Sequence, residues 1–545
     1  MAQASLKGTG FQNSPAQIRK KNPHIQEYIE TLHTRGINQP EFVMNLDRDL
    51  KGEDSINLIY PVGDPIFIHI YGNKRRGFQY NAVEPTFDAS CKDLYEEICD
   101  YVFMESAKRE ACVTTDQRTE MISELVDEYA EKKSKSLLGI KKIPKDRLDR
   151  VKYRLIRDLS KLGPIEPLMR DPYIEDIYVV GLDRINLVHK IFEGMRSNIQ
   201  FESLKQLKDY LVDIGSRVNI TVDASAAVFD TAMPDGSRLN IIFPEDVSIK
   251  GPSFTIRKFA ETPLTITQLI NWNTFSTKVG AYLWMLMEHG CSVFVSGETA
   301  SGKTTTLNSI LPFIRRTSKI YSVEDTAEVL PPHDTWQQMI VKDSKEETAS
   351  VEYFDLIKSA MRSRPNYVLV GEIRGKEGNI AFQTMQTGIP VLSTFHAASV
   401  HKLIQRISSD PINVPLHFIP NLDAILIQLA VYVKGEFLRR MISLTEVTGY
   451  LREKDQVMVG DIFRWDPQKD GFDFTGRYNS MVLEEKIAPK MGITDKREIY
   501  EELDRRALIL ERMIRNEIFD YHEFIELIRL YQKGGVDALP GRLRV

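Results

Sequence analysis

The chain has 545 residues, 42% hydrophobic and 27% charged, with a formal net charge of −5. That length supports roughly three to four domains, each able to bury its own core, and the composition is that of a folded soluble protein. With no run of 18 or more apolar residues there is no membrane-spanning helix to read, and the polar, basic opening MAQASLKGTGFQNSPAQIRKKNPH lacks an export signal, so a cytoplasmic protein is expected, meeting a membrane only at its surface.

The region up to about Lys141 mixes strands, "DPIFIHIY" and "GFQYNAV", with the helical spacing of "CKDLYEEICDYVFMESA" and "RTEMISELVDEYAEKK". It carries no recognisable chemistry, and residues 1–148 read as an accessory, partner-binding domain. Cys91, Cys99, Cys112 and Cys291 form no C-x-x-C pair, which excludes a zinc ribbon and a dithiol redox motif. Free or buried thiols are expected, with a disulfide among the first three left open. From Lys132 to Arg157 there are 11 Lys and Arg against two acids, Asp146 and Asp149. Such a block suits anionic lipid or an acidic partner, or simply a solvated helix and linker.

"DRVKYRLIRDLSKLGPIEPLM" reads as a helix closed by the Gly163-Pro164 turn. "YIEDIYVVG", "RINLVHK" and "LNIIFP" follow as strands around the helix "LKQLKDYLVDIGSRV". Residues 149–260 are therefore expected to form an α+β module. "ETPLTITQLI" then opens a new helix with Pro263 near its start, a hinge into residues 261–482. There "CSVFVS", "SKIYSV", "YVLVG" and "PVLSTF" alternate with helical patterns, which implies a largely parallel sheet between helices, an α/β fold. The charged helical residues 483–545 read as a C-terminal appendage.

"GETASGKT", Gly297 to Thr304, fits G-x-x-x-x-G-K-[ST] between a strand and a helix, where this phosphate-binding loop belongs. Its glycines let backbone amides curl round phosphate oxygens at a helix N-terminus. Gly297, Glu298, Thr299, Ala300, Ser301, Gly302, Lys303, Thr304 and Thr305 are the expected nucleotide contacts, with ATP as ligand. Lys303 would neutralise the β and γ phosphates and Thr304 would place its hydroxyl on Mg²⁺. Hydrolysis also needs a group that orients water, and parallel strands deliver such groups to one edge of the sheet. "YVLVGEIRG" offers Glu372 to polarise the water, "IYSVEDTAE" offers Glu324 and Asp325 for the metal or the nucleophile, and "PVLSTFHAAS" puts Thr394 and His396 at another strand end, with His396 as a γ-phosphate sensor.

In order and spacing, "GETASGKT", "IYSVEDTAE", "RSRPNYVLVGEIRG" and "STFHAAS" resemble the Walker A, Asp box, Walker B and His box of the ATPase superfamily of type II and type IV secretion, type IV pili and the archaellum. The resemblance spans roughly Asp149 to Met491. "LGPIEPLMRDPYIEDIYVVG" looks like the start of that family's N-terminal module, and "PDGSRLN" and "SFTIRKF" like its arginine-bearing segments. What the resemblance implies is a RecA-like P-loop core, a homo-hexameric ring, and nucleotide held between two modules with Arg238 and Arg257 approaching the phosphates. Gly371 stands where a standard Walker B motif has an aspartate, as in this family, which leaves Thr304, Glu372 and water-mediated acids for Mg²⁺.

"PINVPLHFIPNLDAILIQ", "VGDIFRWDPQKDGFDFTGRYNS" and "VLEEKIAPKMGI" look most like the archaellum motor ATPase, which powers filament assembly and rotation through a polytopic membrane platform protein and accessory archaellum proteins. An archaeal type IV pilus or type II/IV secretion ATPase is the alternative. A ring translocase on nucleic acid is disfavoured by the acidic balance and by a basic block without interleaved aromatics. A module that binds ATP without turning it over is disfavoured by Glu372 and the arginines.

Overall fold

The computed structural model describes residues 18, 21–110, 112, 114–134, 143–218, 220–223, 227–243, 247–259, 262–341, 352–433 and 435–545. The chain divides into two compact units, Met1–Phe259 and Ala260–Val545.

The first unit is built on one ten-stranded sheet. Its strands are β1 Glu41–Phe42, β2 Ser55–Pro61, β3 Phe67–Asn73, β4 Gly77–Val83, β5 Ile174–Val180, β6 Asn186–His189, β7 Glu193–Ser197, β8 Val228–Ala232, β9 Arg238–Ile242 and β10 Ser253–Arg257. They run in the order β1-β2-β3-β4-β7-β6-β5-β10-β9-β8. Strand β4 therefore continues into β7, a parallel junction with Gln79 opposite Arg196 and Tyr80 opposite Ser197. Just past it the Asn198 side chain bridges the Ala82 backbone, accepting at 2.9 Å and donating at 3.0 Å. A buried carboxylate fastens the same seam: Asp171 accepts the hydroxyls of Tyr60 and Tyr80 at 2.7 and 2.9 Å, yet burial still raises its pKa.

The boundary expected at 148/149 falls inside the helix Lys145–Leu159. That helix packs Val151 and Leu155 with Leu94 and Ile98 of the helix Ala89–Ser106 and Leu125 of the helix Thr115–Ser134. A boundary read from composition has no access to hydrogen bonds between strands a hundred residues apart. Within the basic block, residues 135–142 lie outside the described residues. Many of its described cations are spent internally: Lys133 pairs with Glu97, Arg150 with Glu27, Lys152 with Asp127 and Arg157 with Glu84. All four cysteines are free thiols, Cys91 and Cys291 buried.

The second unit carries a nine-stranded sheet, confirming the α/β class. Its strands are β11 Val293–Gly297, β12 Ile320–Glu324, β13 Trp336–Ile340, β14 Tyr367–Ile373, β15 Val391–Phe395, β16 Ala424–Val433, β17 Glu436–Leu451, β18 Gln456–Asp466 and β19 Gly471–Phe474. The order is β13-β12-β14-β15-β11-β16-β17-β18-β19. Pairing is parallel from β13 to β16 and antiparallel from β16 to β19.

Both faces of the parallel part are covered, so its strands are continuous apolar runs whose neighbours enter different cores. Val293, Val295, Leu369 and Leu392 join one apolar cluster, while Phe294, Val368, Val370 and Val391 join the other. The C-terminal helices Glu498–Arg515 and Tyr521–Gly534 belong to the first of these clusters through Leu503, Leu510, Phe524 and Ile528. Read from sequence as an appendage because of their charge, they cover one face of the sheet with an apolar stripe at helical spacing.

Candidate nucleotide-binding site

Strand β11 ends at Gly297, and the helix Lys303–Ile310 starts after five intervening residues. Any Cβ at Gly297 would lie 2.0 Å from the carbonyl oxygen of Gln428 on β16, so only glycine lets the strand pass. Gly302 has φ +91°, the left-handed region, and a Cβ there would meet the Gln428 amide nitrogen at 2.9 Å. Glu298, Thr299 and Ala300 are exposed, and the loop is closed from within by Ser301 Oγ donating to the Glu298 carbonyl at 2.8 Å. Lys303 Nζ donates to that same carbonyl at 2.9 Å. Burial lowers the Lys303 pKa, while the Glu372 and Glu328 carboxylates pull the other way. Thr305 is half-buried one position beyond Thr304.

Between Val370 and Glu372 the β14–β15 register shifts, a bulge at Gly371 that sets Glu372 opposite Thr394. Thr394 Oγ1 donates to the Gly371 carbonyl at 2.7 Å and so holds the bulge. The Glu372 side chain is 15% exposed; its Oε2 accepts from Arg374 at 2.6 Å, and Oε1 lies 3.0 Å from His396 Nε2. That second contact lacks hydrogen-bond alignment, leaving Oε1 a buried oxygen without a hydrogen-bond partner among the described residues. His396 Nε2 is also 3.5 Å from Lys303 Nζ. Burial above all lowers the His396 pKa; Glu372 pulls the other way, and the cations Lys303, Arg374 and Arg406 act with burial. Lys303, His396, Glu372 and Arg374 thus form one chain of contacts across three strand ends.

The other expected residues are placed differently. Glu324 is fully buried; its Oε2 accepts the amides of Glu328 and Val329 at 2.6 and 2.8 Å, and its Oε1 faces Gln338 at 3.3 Å. It shapes the loop after β12 rather than facing the phosphate loop. Asp325 lies 3.5 Å from Arg374. Arg238 and Arg257 belong to the first unit, directly opposite each other on β9 and β10. Arg238 makes a two-point pair with Asp230 at 3.0 and 2.6 Å, and Arg257 lies 3.3 Å from Asp176. The acids offset the repulsion of two like charges at one register position.

Sequence reasoning missed three residues. Thr304 Oγ1 donates to Glu328 Oε2 at 3.0 Å, so the acid at the expected metal hydroxyl is Glu328, while Glu372, the other expected metal position, is held by Arg374. Gln428 accepts from Thr306 at 2.6 Å, and Arg439 on β17 donates to the Ala300 carbonyl at 2.9 Å. Glu328 was signalled by the third acid of "VEDTAE", and Gln428 by standing as the lone polar residue in "AILIQLAV"; Arg439 left no signal.

The cradle suits a phosphate chain: two positions where a Cβ has no room, a lysine within the loop, and a buried unpaired carboxylate oxygen beside it. Among the described residues no group of three or more His, Cys, Asp or Glu is arranged to hold a metal by itself. Magnesium beside a nucleotide needs only one or two protein oxygens, the rest coming from phosphate and water, and Thr304 with Glu328 fits that requirement.

The family profile of type II/IV secretion system proteins matches residues 158–428, from the helix that opens the α+β segment to the glutamine under the phosphate loop. The uncharacterized protein MJ0900 of Methanocaldococcus jannaschii is 48% identical over 540 residues, covering 96% of this chain and 98% of its own. The chain belongs to the type II/IV secretion ATPase superfamily. The uncharacterized protein MJ1287 of the same organism is 39% identical over 271 residues, 49% of this chain and 97% of that protein. Among solved structures, the VirB11 ATPase of the Brucella suis type IV secretion system, in complex with sulphate, is 19% identical, covers 52% of this chain and 94% of its own, and has a TM-score of 0.27. In this member of the superfamily the profile ends at Gln428, so β17–β19 and the C-terminal helices lie beyond the matched part.

Proposed function

We propose that this protein hydrolyses ATP and that a homo-hexameric ring of it drives archaellum assembly and rotation through a membrane platform protein. The hydrolytic reading rests above all on the buried Oε1 of Glu372, without a hydrogen-bond partner among the described residues and 3.0 Å from His396, which in turn lies 3.5 Å from Lys303. A carboxylate oxygen in that position accepts a proton from water.

With ATP bound, the amides of residues 298–303 and the Lys303 ammonium take the β and γ phosphates, Lys303 giving up the Glu298 carbonyl. Glu372, held at Oε2 by Arg374, takes the proton as the water oxygen bonds to the γ phosphorus and the bond to the bridging oxygen breaks, releasing ADP and orthophosphate. Neutral His396 spaces Lys303 from Glu372 and contacts the γ oxygens. Thr304 and Glu328 would hold magnesium, which would supply charge neutralisation to the phosphates. Arg238 and Arg257 would exchange their aspartates for phosphate oxygens, and such arginines matter by about 10³ to 10⁵ in rate. Work comes from the different affinity of nucleotide for two arrangements of the modules.

Three segments of the second unit support the archaellum reading by their resemblance. An archaeal pilus or secretion ATPase has the same core, so the first 148 residues are proposed to choose the partner. We place the protein in the cytoplasm at the membrane face; among the described residues no helix is long and apolar enough to cross a membrane. Glu372→Gln is expected to keep ATP bound and to lower turnover by about 10² to 10⁴, read as phosphate release beside ATP affinity. Wild-type turnover in that variant would remove Glu372 from the mechanism. Loss of swimming with pili retained, on deleting the gene, separates the archaellum from the pilus.

A further inference from the structure

A cavity of about 440 Å³ adjoins this cluster in the same unit, lined by Arg374, Lys402, Gln405, Arg406, Ser409 and Asp410 among others. Its lining is basic, three cations against one carboxylate, and two of the cations also touch the site. Arg374 bonds Glu372 Oε2 on one side and lines the cavity on the other. Arg406 donates to the His396 carbonyl and lies over the Phe395 ring at 5.2 Å, so its guanidinium is fixed. Lys402 and Arg406 stand four residues apart on the helix Val400–Ser408, on one face, and among the described residues neither is in an ion pair. Like charges at that spacing repel, and among the described residues no ion pair offsets this one, Asp410 being the single carboxylate in the lining. An anion between them would.

We infer that this basin receives the orthophosphate released by hydrolysis, a doubly charged oxyanion met by Arg374, Lys402 and Arg406 once it leaves Lys303 and His396. The inference rests on the hydrolytic reading above for the source of its ligand, but not for its chemistry. Side-chain contacts connect the two places in order: Lys303, His396, Glu372, Arg374, then the cavity. Gln405 and Ser409 add neutral polar groups to the lining, and the volume leaves room for phosphate with part of its hydration shell.

The test is titration of the full chain with inorganic phosphate at fixed ionic strength, followed by phosphorus NMR or calorimetry. It uses wild type, Lys402→Ala and Lys402→Arg, each also in a Lys303→Ala background, because the phosphate loop itself takes phosphate. Lys402→Ala should weaken phosphate binding, and phosphate inhibition of ATP turnover, by about tenfold with the KM for ATP unchanged, and Lys402→Arg should retain most of both. In the Lys303→Ala background the Lys402-dependent binding should persist. Equal phosphate affinity in wild type and Lys402→Ala overturns the inference, as does a KM for ATP that rises in step, which would put Lys402 at the nucleotide. If the protein releases no phosphate from ATP yet binds added phosphate through Lys402, the basin stands and the hydrolytic reading falls.

Discussion

At position 371 the aspartate of a standard Walker B motif would be tight: a Cβ would lie 3.2 Å from Glu324 Cγ, so that side chain would have to give way, and 3.5 Å from its Cα. Glycine and the buried glutamate are two halves of one local solution, in which the carboxylate turns away and serves the next loop. Both residues were visible in the sequence, but their contact was not, since it crosses between strands. Burial lifts the Glu324 pKa from 4.5 to about 7, against the amides that favour its charged form. A carboxyl raised in this way is penalised on folding once it ionises, so its contribution falls from pH 4.5 through about 7 and is flat above. The size is about 3 kcal/mol on the scale of one pKa unit per 1.36 kcal/mol. Glu324→Gln should flatten stability over that window, measured as unfolding midpoints between pH 4.5 and 8. An unchanged slope would mean that the carboxyl is not desolvated.

Strands β11, β12, β14 and β15 were legible because buried parallel strands are written as short apolar runs, and the residue after each run is where parallel topology puts chemistry. The bulge at Gly371 was not, because one extra residue in a strand leaves the hydrophobic pattern intact. Nor was the antiparallel extension β16 to β19, although it supplies the floor of the phosphate loop through Gln428 and Arg439. Gln428 is 2% exposed and its amide oxygen accepts from the fully buried Thr306 hydroxyl. Gln428→Leu leaves that hydroxyl without its partner and should cost about 1 to 3 kcal/mol of stability, with weaker ATP binding, seen in denaturant melts and nucleotide titration. Full stability and unchanged affinity in this variant would show that the extension does not support the loop.

On the scale of the whole chain, the sequence marks the change from the first unit to the second by the hinge at Pro263, and the structure divides at Phe259 and Ala260. Within the first unit no such mark exists: a ten-stranded sheet absorbs strands from both of the regions that composition had separated. The chain divides into two compact units, each with its own apolar clusters, so two cooperative unfolding transitions are expected by calorimetry. ATP at about 100 times its Kd should stabilise the second unit by about 2.7 kcal/mol. A single transition would mean that the units unfold as one body.

The most direct measurement is a calorimetric titration of magnesium and ATP into the full chain and into Lys303→Ala. Saturable heat at one site per wild-type chain, and none in the variant, is the predicted result. No heat from folded wild-type protein, or equal affinity in the variant, would contradict a triphosphate held by Lys303 within reach of Glu372.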